Sequence, residues 1–150
     1  MIYNLEKQQL INQLKGKHIS IIVDESTDVR GRSAINILFS FKNYTKLVVT
    51  DHLTIVNNIT ISQLVIKTLN DYSIPFENII LFISDNAAYM LKFFRNLSTI
   101  IPQMKHNCCL AHIYNLVGET WIENQNFHIV NDIVSNIKTS FTYSSARKSR

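Results

Sequence analysis

The chain has 150 residues, 46% of them hydrophobic and 17% charged, a composition that predicts one ordinary core and argues against disorder. Its formal charge of +4 gives no general nucleic-acid signal, because Arg147, Lys148 and Arg150 near the C-terminus supply three of the four positive charges. Adjacent cysteines at positions 108 and 109 exclude a disulfide framework, and the lack of a long apolar segment or signal-peptide pattern predicts an intracellular protein.

The first half of the chain is predicted to form a helix and three strands. Apolar residues at helical spacing predict a helix over 2–15, ended by Gly16. An apolar run rich in β-branched residues predicts a buried strand over 18–24. Two further strands, over 33–42 and 46–56, follow after short connections and complete a predicted antiparallel meander.

The second half is predicted to alternate helices with two more strands. One helix follows a capping-box pattern that begins at Thr60, and it ends before Pro75. The purest apolar run of the chain, 79–83, predicts a central parallel strand, followed by a helix to about Leu97. The remaining predicted elements are a short strand over 105–109 and helices over 111–123 and 127–141.

Two aspartates are expected to meet at one rim of this sheet. Right-handed crossovers after a meander bring the fourth strand beside the first and parallel to it. Asp24 and Asp85 then follow these two strands at the same end, where ligands bind in open α/β sheets. Two such carboxylates could hold divalent ions, and Mg²⁺ is suited because it needs few carboxylates and accepts phosphate oxygens as ligands.

The acidic and amide residues at these strand ends also have local explanations. Asp28 could be a simple turn residue. Either Asp85 or Asn86 could be the N-cap of the helix that follows. For Asp85, a capping role and a role as metal ligand do not exclude each other.

Two cysteines and two histidines crowd into residues 106–112. A structural zinc site commonly uses two pairs of ligands separated by a loop. Cys109 and His112, with His106 and Cys108 nearby, have no second pair elsewhere in the sequence. We therefore expect no zinc site, and favour buried cysteine packing with a hydrogen-bonded histidine.

Three segments, in order, resemble the catalytic core of hAT-superfamily transposases. The likeness is closest to the subgroup from which host proteins with BED or MYM zinc fingers derive. The segments are 22–28 (Ile-Val-Asp-Glu-Ser-Thr-Asp), 82–90 (Phe-Ile-Ser-Asp-Asn-Ala-Ala-Tyr-Met) and 107–116, which is similar to the family's Cys-x-x-His signature. Residues 145–147 resemble the start of the family's long helical insertion.

The resemblance implies a ribonuclease H-like α/β fold. The expected sheet is mixed, with a three-strand antiparallel meander plus parallel strands, and helices flank it. The implied organisation is an N-terminal helix over 1–17, a partial core over 18–125 and the start of the helical insertion over 126–150.

The resemblance also implies a catalytic triad of two aspartates and a glutamate. By position, Asp24 is the first acid and Asp85 the second, and both would bind Mg²⁺ or Mn²⁺ in the intact enzyme. The family's glutamate lies beyond the insertion, past Arg150, so we expect the chain alone to be inactive. The implied supporting residues are Glu25, Asp28, Asn86, Cys109 and His112.

We therefore expect a fragment of a hAT-type DNA transposase, which cleaves and transfers strands when intact. Its expected partner is DNA in the nucleus, without a membrane, and homo-oligomers could form through regions beyond residue 150. Arg147, Lys148 and Arg150 could contact phosphates, although a solvated terminus explains them equally well.

Two alternatives remain open. One is a domesticated descendant that serves as a non-catalytic DNA- or protein-interaction module. The other, a phosphatase of the haloacid dehalogenase type, ranks lower because residues 24–27 lack that family's second aspartate.

Overall fold

The computed structural model describes residues 2–28, 30–122 and 124–142. The chain divides into two compact units, Met1–Cys109 and Leu110–Arg150. The predicted core and insertion boundaries at residues 17 and 125 remain predictions. The predicted phosphate contacts, Arg147, Lys148 and Arg150, and the segment 145–147 lie outside the described residues.

Within the described residues, the first unit contains three α-helices and five strands, and the second contains two α-helices. In chain order the first unit comprises α1 (Ile2–Leu14), β1 (Ile19–Thr27), β2 (Ser33–Phe41), β3 (Tyr44–Leu53), α2 (Asn58–Asp71), a 3-10 turn (Phe76–Asn78), β4 (Ile79–Ser84), α3 (Ala88–Ser98) and β5 (Lys105–Cys108). The second unit comprises α4 (Leu110–Ile122), a 3-10 turn (Gln125–Phe127) and α5 (His128–Thr142). No helix in the described part of the chain has the length and apolar character that crossing a bilayer requires.

The five strands form one mixed sheet in the order β3-β2-β1-β4-β5. β2 is antiparallel to both of its neighbours, whereas β4 is parallel to both β1 and β5. This arrangement confirms the predicted sheet, an antiparallel meander continued by parallel strands and flanked by helices. The fold is therefore of the ribonuclease H-like class.

One face of the sheet carries the core that holds α3 against the central strands. Alternate residues of β1 point to this face, so that Ile21 and Val23 are buried, as is Phe82 of β4. The ring of Phe82 contacts that of Phe93 on α3, with centroids 5.0 Å apart. Burying each such side chain contributes about 1.5–3 kcal/mol. This packing fixes the start of α3 near the ends of β1 and β4.

β1 is longer than its apolar run predicts. It continues for three residues beyond Asp24, because the polar residues 24–27 stay paired with β2, from Asp24 opposite Asn36 to Thr27 opposite Ser33. Asp24 therefore lies inside a strand, where its pairing with Asn36 of β2 restrains its backbone.

The predicted start of α2 at Thr60 is wrong by three residues. Asn57 is the N-cap, and its side-chain oxygen accepts hydrogen bonds from the backbone N–H groups of Ile59 and Thr60. The Thr60 hydroxyl bonds the Asn57 backbone in return, which completes a capping box. By contrast, Gly16, at a φ of +66°, follows α1 as predicted.

Candidate active site

The parallel pairing of β1 with β4 brings Asp24 and Asp85 to the same level of two central strands. The last residue pair of this ladder joins Ile22 to Ile83, and each aspartate lies two residues further along its own segment. Paired strands lie about 4.8 Å apart, and residues two positions apart face the same side of a sheet. Both aspartates are half-buried, so solvent reaches them.

Asp85 follows the end of β4 and shapes the turn into α3. Its Oδ1 accepts a hydrogen bond from the Ala87 backbone N–H at 3.1 Å. The N-cap of α3 is Ala87 itself, without a side-chain capping bond, so the suggested N-cap role of Asp85 or Asn86 is wrong. The turn holds the Asp85 carboxylate through one oxygen.

Glu25 points to the face of the sheet that α3 covers, opposite to Asp24, and is held there by Tyr89, an interaction that the sequence does not reveal. The Tyr89 hydroxyl on α3 donates a hydrogen bond to Glu25 Oε2 at 2.5 Å. Burial raises the pKa of Tyr89, and the hydrogen bond and charge of Glu25 and the charge of Asp85 raise it further. Tyr89 therefore keeps its proton and donates it to Glu25. This bond fixes Glu25 close to Asp24 and Asp85, which together form the acidic rim of the sheet.

A second polar contact joins β4 to β5 beneath the rim. Ser84 is fully buried, and its hydroxyl donates to the Asp85 carbonyl at 2.8 Å. Its oxygen lies 3.1 Å from Nε2 of His106, which must supply the proton for that bond because the hydroxyl hydrogen is already used. Burial lowers the pKa of His106, so the ring is held neutral.

The 106–112 segment is tied to the loop after β4. The Cys108 thiol donates to Oδ1 of Asn86 at 2.8 Å, and the Cys109 backbone N–H donates to the Ser84 carbonyl at 2.8 Å. These bonds restrain the residues on both sides of Asp85. His112 lies on α4, in the second unit.

Asp28 sits in the hairpin between β1 and β2 and has the geometry of a turn residue. Its carboxylate accepts hydrogen bonds from the backbone N–H groups of Arg30 and Arg32, and it forms an ion pair with the Arg32 guanidinium at 2.7 Å. These contacts, led by the Arg32 backbone N–H, lower the pKa of Asp28 to about 2. They account for this residue without a role in catalysis.

The donor set of the rim fits one hard divalent cation. Mg²⁺ is commonly bound by one or two carboxylates and completes its shell with water and phosphate oxygens. Asp24 and Asp85 offer those two carboxylates. Among the described residues, no group of three or more His, Cys, Asp or Glu side chains gathers in a way that could hold a metal.

By sequence, the chain matches no protein-family model and no curated protein. By structure it is similar to a pre-cleavage Mos1 transpososome, at 12% identity and a TM-score of 0.41, and to the Mos1 strand transfer complex, at 14% and 0.39. These matches cover 67% of this chain but only 40% and 38% of those chains. It is also similar to the Mos1 transposase catalytic domain with Raltegravir and Mg, at 15% identity and a TM-score of 0.43, over 94% of this chain and 81% of that one.

Proposed function

We propose that this chain is part of the catalytic core of a hAT-type DNA transposase, which cleaves and transfers DNA strands in the nucleus. The observation that carries the proposal is the matched offset of Asp24 and Asp85 along two paired parallel strands. The sequence segments around both aspartates resemble the hAT family, which supports the assignment to that type of transposase.

In this proposal, Asp24 and Asp85 would hold Mg²⁺ or Mn²⁺, which would act on a phosphodiester. When bound, such an ion activates a water or a 3′ hydroxyl and stabilises the leaving oxygen. The Ala87 N–H orients the Asp85 carboxylate, and the pairing of β1 with β2 restrains the backbone of Asp24. Glu25 is engaged by Tyr89 on the other face of β1 and does not join the two aspartates as a third ligand.

The alternative is a non-catalytic interaction module derived from a transposase. The observation in its favour is that the described residues gather no third metal-binding side chain. We expect the 150-residue chain alone to bind metal without cleaving DNA, because strand cleavage by paired ions needs more ligands than two aspartates provide. The catalytic core requires the two aspartates to bind a cation, whereas the interaction module does not.

A calorimetric titration with Mn²⁺ tests the proposed function. We expect Asp85→Asn to weaken binding by at least about tenfold, since a direct ligand matters at least as much as an outer-shell partner. Asparagine keeps an oxygen for the Ala87 N–H, so the turn is preserved. Asp71→Asn, at the exposed end of α2, is the control with the same charge change. Equal affinity of the wild type and Asp85→Asn would overturn the proposal.

A further inference from the structure

We propose that the end of the sheet opposite the aspartates is a second DNA-contacting surface, which binds the phosphate backbone. This surface, the basic end, comprises Lys17, His18, Lys42, Tyr44 and Lys46. The identity of the partner rests on the proposed function, whereas the surface itself is defined by charge and topology.

Three segments converge at the basic end because the first three strands form a meander. Residues 17–18 precede β1, Lys42 follows β2, and residues 44–46 begin β3. The antiparallel pairing sets Ser20 opposite Ser40 and Phe41 opposite Tyr44. Strand direction therefore separates basic side chains at one end of β1 from Asp24 at the other.

Two depressions lie side by side at the basic end and share Lys17, Phe41 and Lys42. The first, of about 410 Å³, is lined by Gln13, Lys17, Phe41, Lys42, Tyr44 and Lys46. The second, of about 430 Å³, adds His18, Ser20 and Ser40 to the shared residues. None of the described side chains that line either depression is a carboxylate. The lining is largely apolar, and Lys17, Lys42 and Lys46 are spread over three segments around it, which suits several phosphates of a chain better than a single small anion.

The lysine charges at the basic end are available to a partner. Within the described ranges, Lys17, Lys42 and Lys46 form no salt bridge. Glu6 of α1 lines a neighbouring depression with Lys46 and borders the surface on that side. Neutral donors add to the lysines: the Thr45 hydroxyl bonds that of Ser40 at 3.1 Å, and such hydroxyls also contact phosphate oxygens in protein–DNA complexes.

The backbone of Lys42 supports a role for its side chain. Lys42 has a φ of +51° in the two-residue connection between β2 and β3. Glycine or asparagine is favoured at positive φ in such connections, because a side chain there is strained. Local folding therefore does not explain a lysine at this position, whereas a charge at the tip of the hairpin does.

The separation of the two ends matches a short stretch of duplex. Six residue steps separate His18 from Asp24 along β1, which amounts to roughly 20 Å at ~3.3 Å per residue. That span corresponds to about six base pairs at ~3.4 Å per step. A duplex that lay along β1 with one phosphate at the aspartates would therefore reach the basic end. Neither an anionic membrane nor an acidic protein requires this alignment.

The test compares the full 150-residue chain with the variant Lys17→Gln/Lys42→Gln/Lys46→Gln in binding a short DNA duplex. Three phosphate contacts predict a fall in affinity of about 40-fold between ~50 and ~200 mM salt. We expect the triple variant to reduce the slope of log K against log salt by about 2.7. The matched control Lys67→Gln/Lys92→Gln/Arg95→Gln, at exposed positions of α2 and α3, should leave the slope unchanged. The single variant Lys42→Gly guards against misfolding: it should unfold at an equal or higher temperature and still reduce the slope by about 0.9.

Three results would overturn the inference. The first is an equal loss in the triple variant and its control. The second is the absence of duplex binding by the wild type at the lower salt, in which case the Mn²⁺ titration of Asp85→Asn still decides the proposed function. The third is tighter binding to vesicles of phosphatidylcholine with roughly a quarter phosphatidylserine, lost in the triple variant, which would assign the surface to membranes.

Discussion

At the scale of single residues, the acidic rim depends on buried polar contacts just beneath it. Ser84 and His106 form such a contact, and His106 is stacked against Phe82 and Phe94, with ring centroids 5.4 and 5.2 Å away. Burial disfavours the charged form of the imidazole, so its protonation costs stability. This contact connects the stability of the rim to pH.

We expect the wild type to lose more stability than His106→Gln between about pH 7.5 and pH 5.5. The folded-state pKa of His106 lies below its unfolded value of about 6.5. The neutral His106 therefore contributes its full stabilisation above the unfolded-state pKa, and this stabilisation is lost as the pH falls toward the folded-state pKa. Glutamine retains a donor for Ser84 without the titration. Urea unfolding at both pH values measures the difference, and an equal loss in both proteins would contradict the assignment.

At the scale of elements, the contact of α3 with β1 sets the geometry of the rim. Tyr89 and Glu25 are 64 positions apart in sequence, so neither local spacing nor hydrophobic pattern could reveal their bond. It requires α3 to be packed onto the sheet, where Phe82 contacts Phe93. The bond therefore reports directly on the docking of that helix.

Tyr89→Phe should destabilise the protein by about 1–2 kcal/mol, because a half-buried carboxylate then loses its charge-assisted donor while the ring packing remains. Equilibrium unfolding in urea measures this change. Tyr114→Phe, an exposed tyrosine of α4, is the control for removal of a hydroxyl. If the two variants were equally stable, the Tyr89–Glu25 contact would not hold α3 in place.

The order and type of the elements follow from the sequence because they depend on local pattern. The apolar run of β4, the meander and the helical spacing of α2 and α3 were all visible as periodicity. The extension of β1 to Thr27 was not, because hairpin pairing rather than burial stabilises its last polar residues. The cap of α2 was misplaced because Asn57 and Thr60 are both good cap residues, and only geometry decides between them.

Part of the candidate site was also predictable from local sequence pattern. Asp24 and Asp85 each end an apolar run, and the handedness of crossovers then sets them side by side. The local role of Asp28 depended on contacts with Arg30 and Arg32 across a turn that the sequence alone left open.

At the scale of the whole molecule, the sheet of the first unit is polarised in charge along its strands. Carboxylates lie at one end of β1, and lysines lie at the other. A metal-dependent reaction on a nucleic acid could use both signs of charge, since a cation held by the acids would engage one phosphate while the lysines would bind phosphates about six base pairs away. Such a reaction requires Asp24 and Asp85 to act as one cation site.

The most direct test is to add Mn²⁺ to the isotopically labelled chain and follow the broadening of backbone amide signals. If Asp24 and Asp85 share an ion, the amides of residues 23–25 and 84–86 broaden together at the lowest metal concentrations. Those at Lys42, roughly 20 Å away along the strands, should stay sharp. Because the two segments lie on adjacent strands, the deciding result comes from the variants Asp24→Asn and Asp85→Asn, each of which should abolish the broadening at both segments. Unchanged broadening in either variant, or broadening first at acids elsewhere such as Asp71, would contradict a shared site.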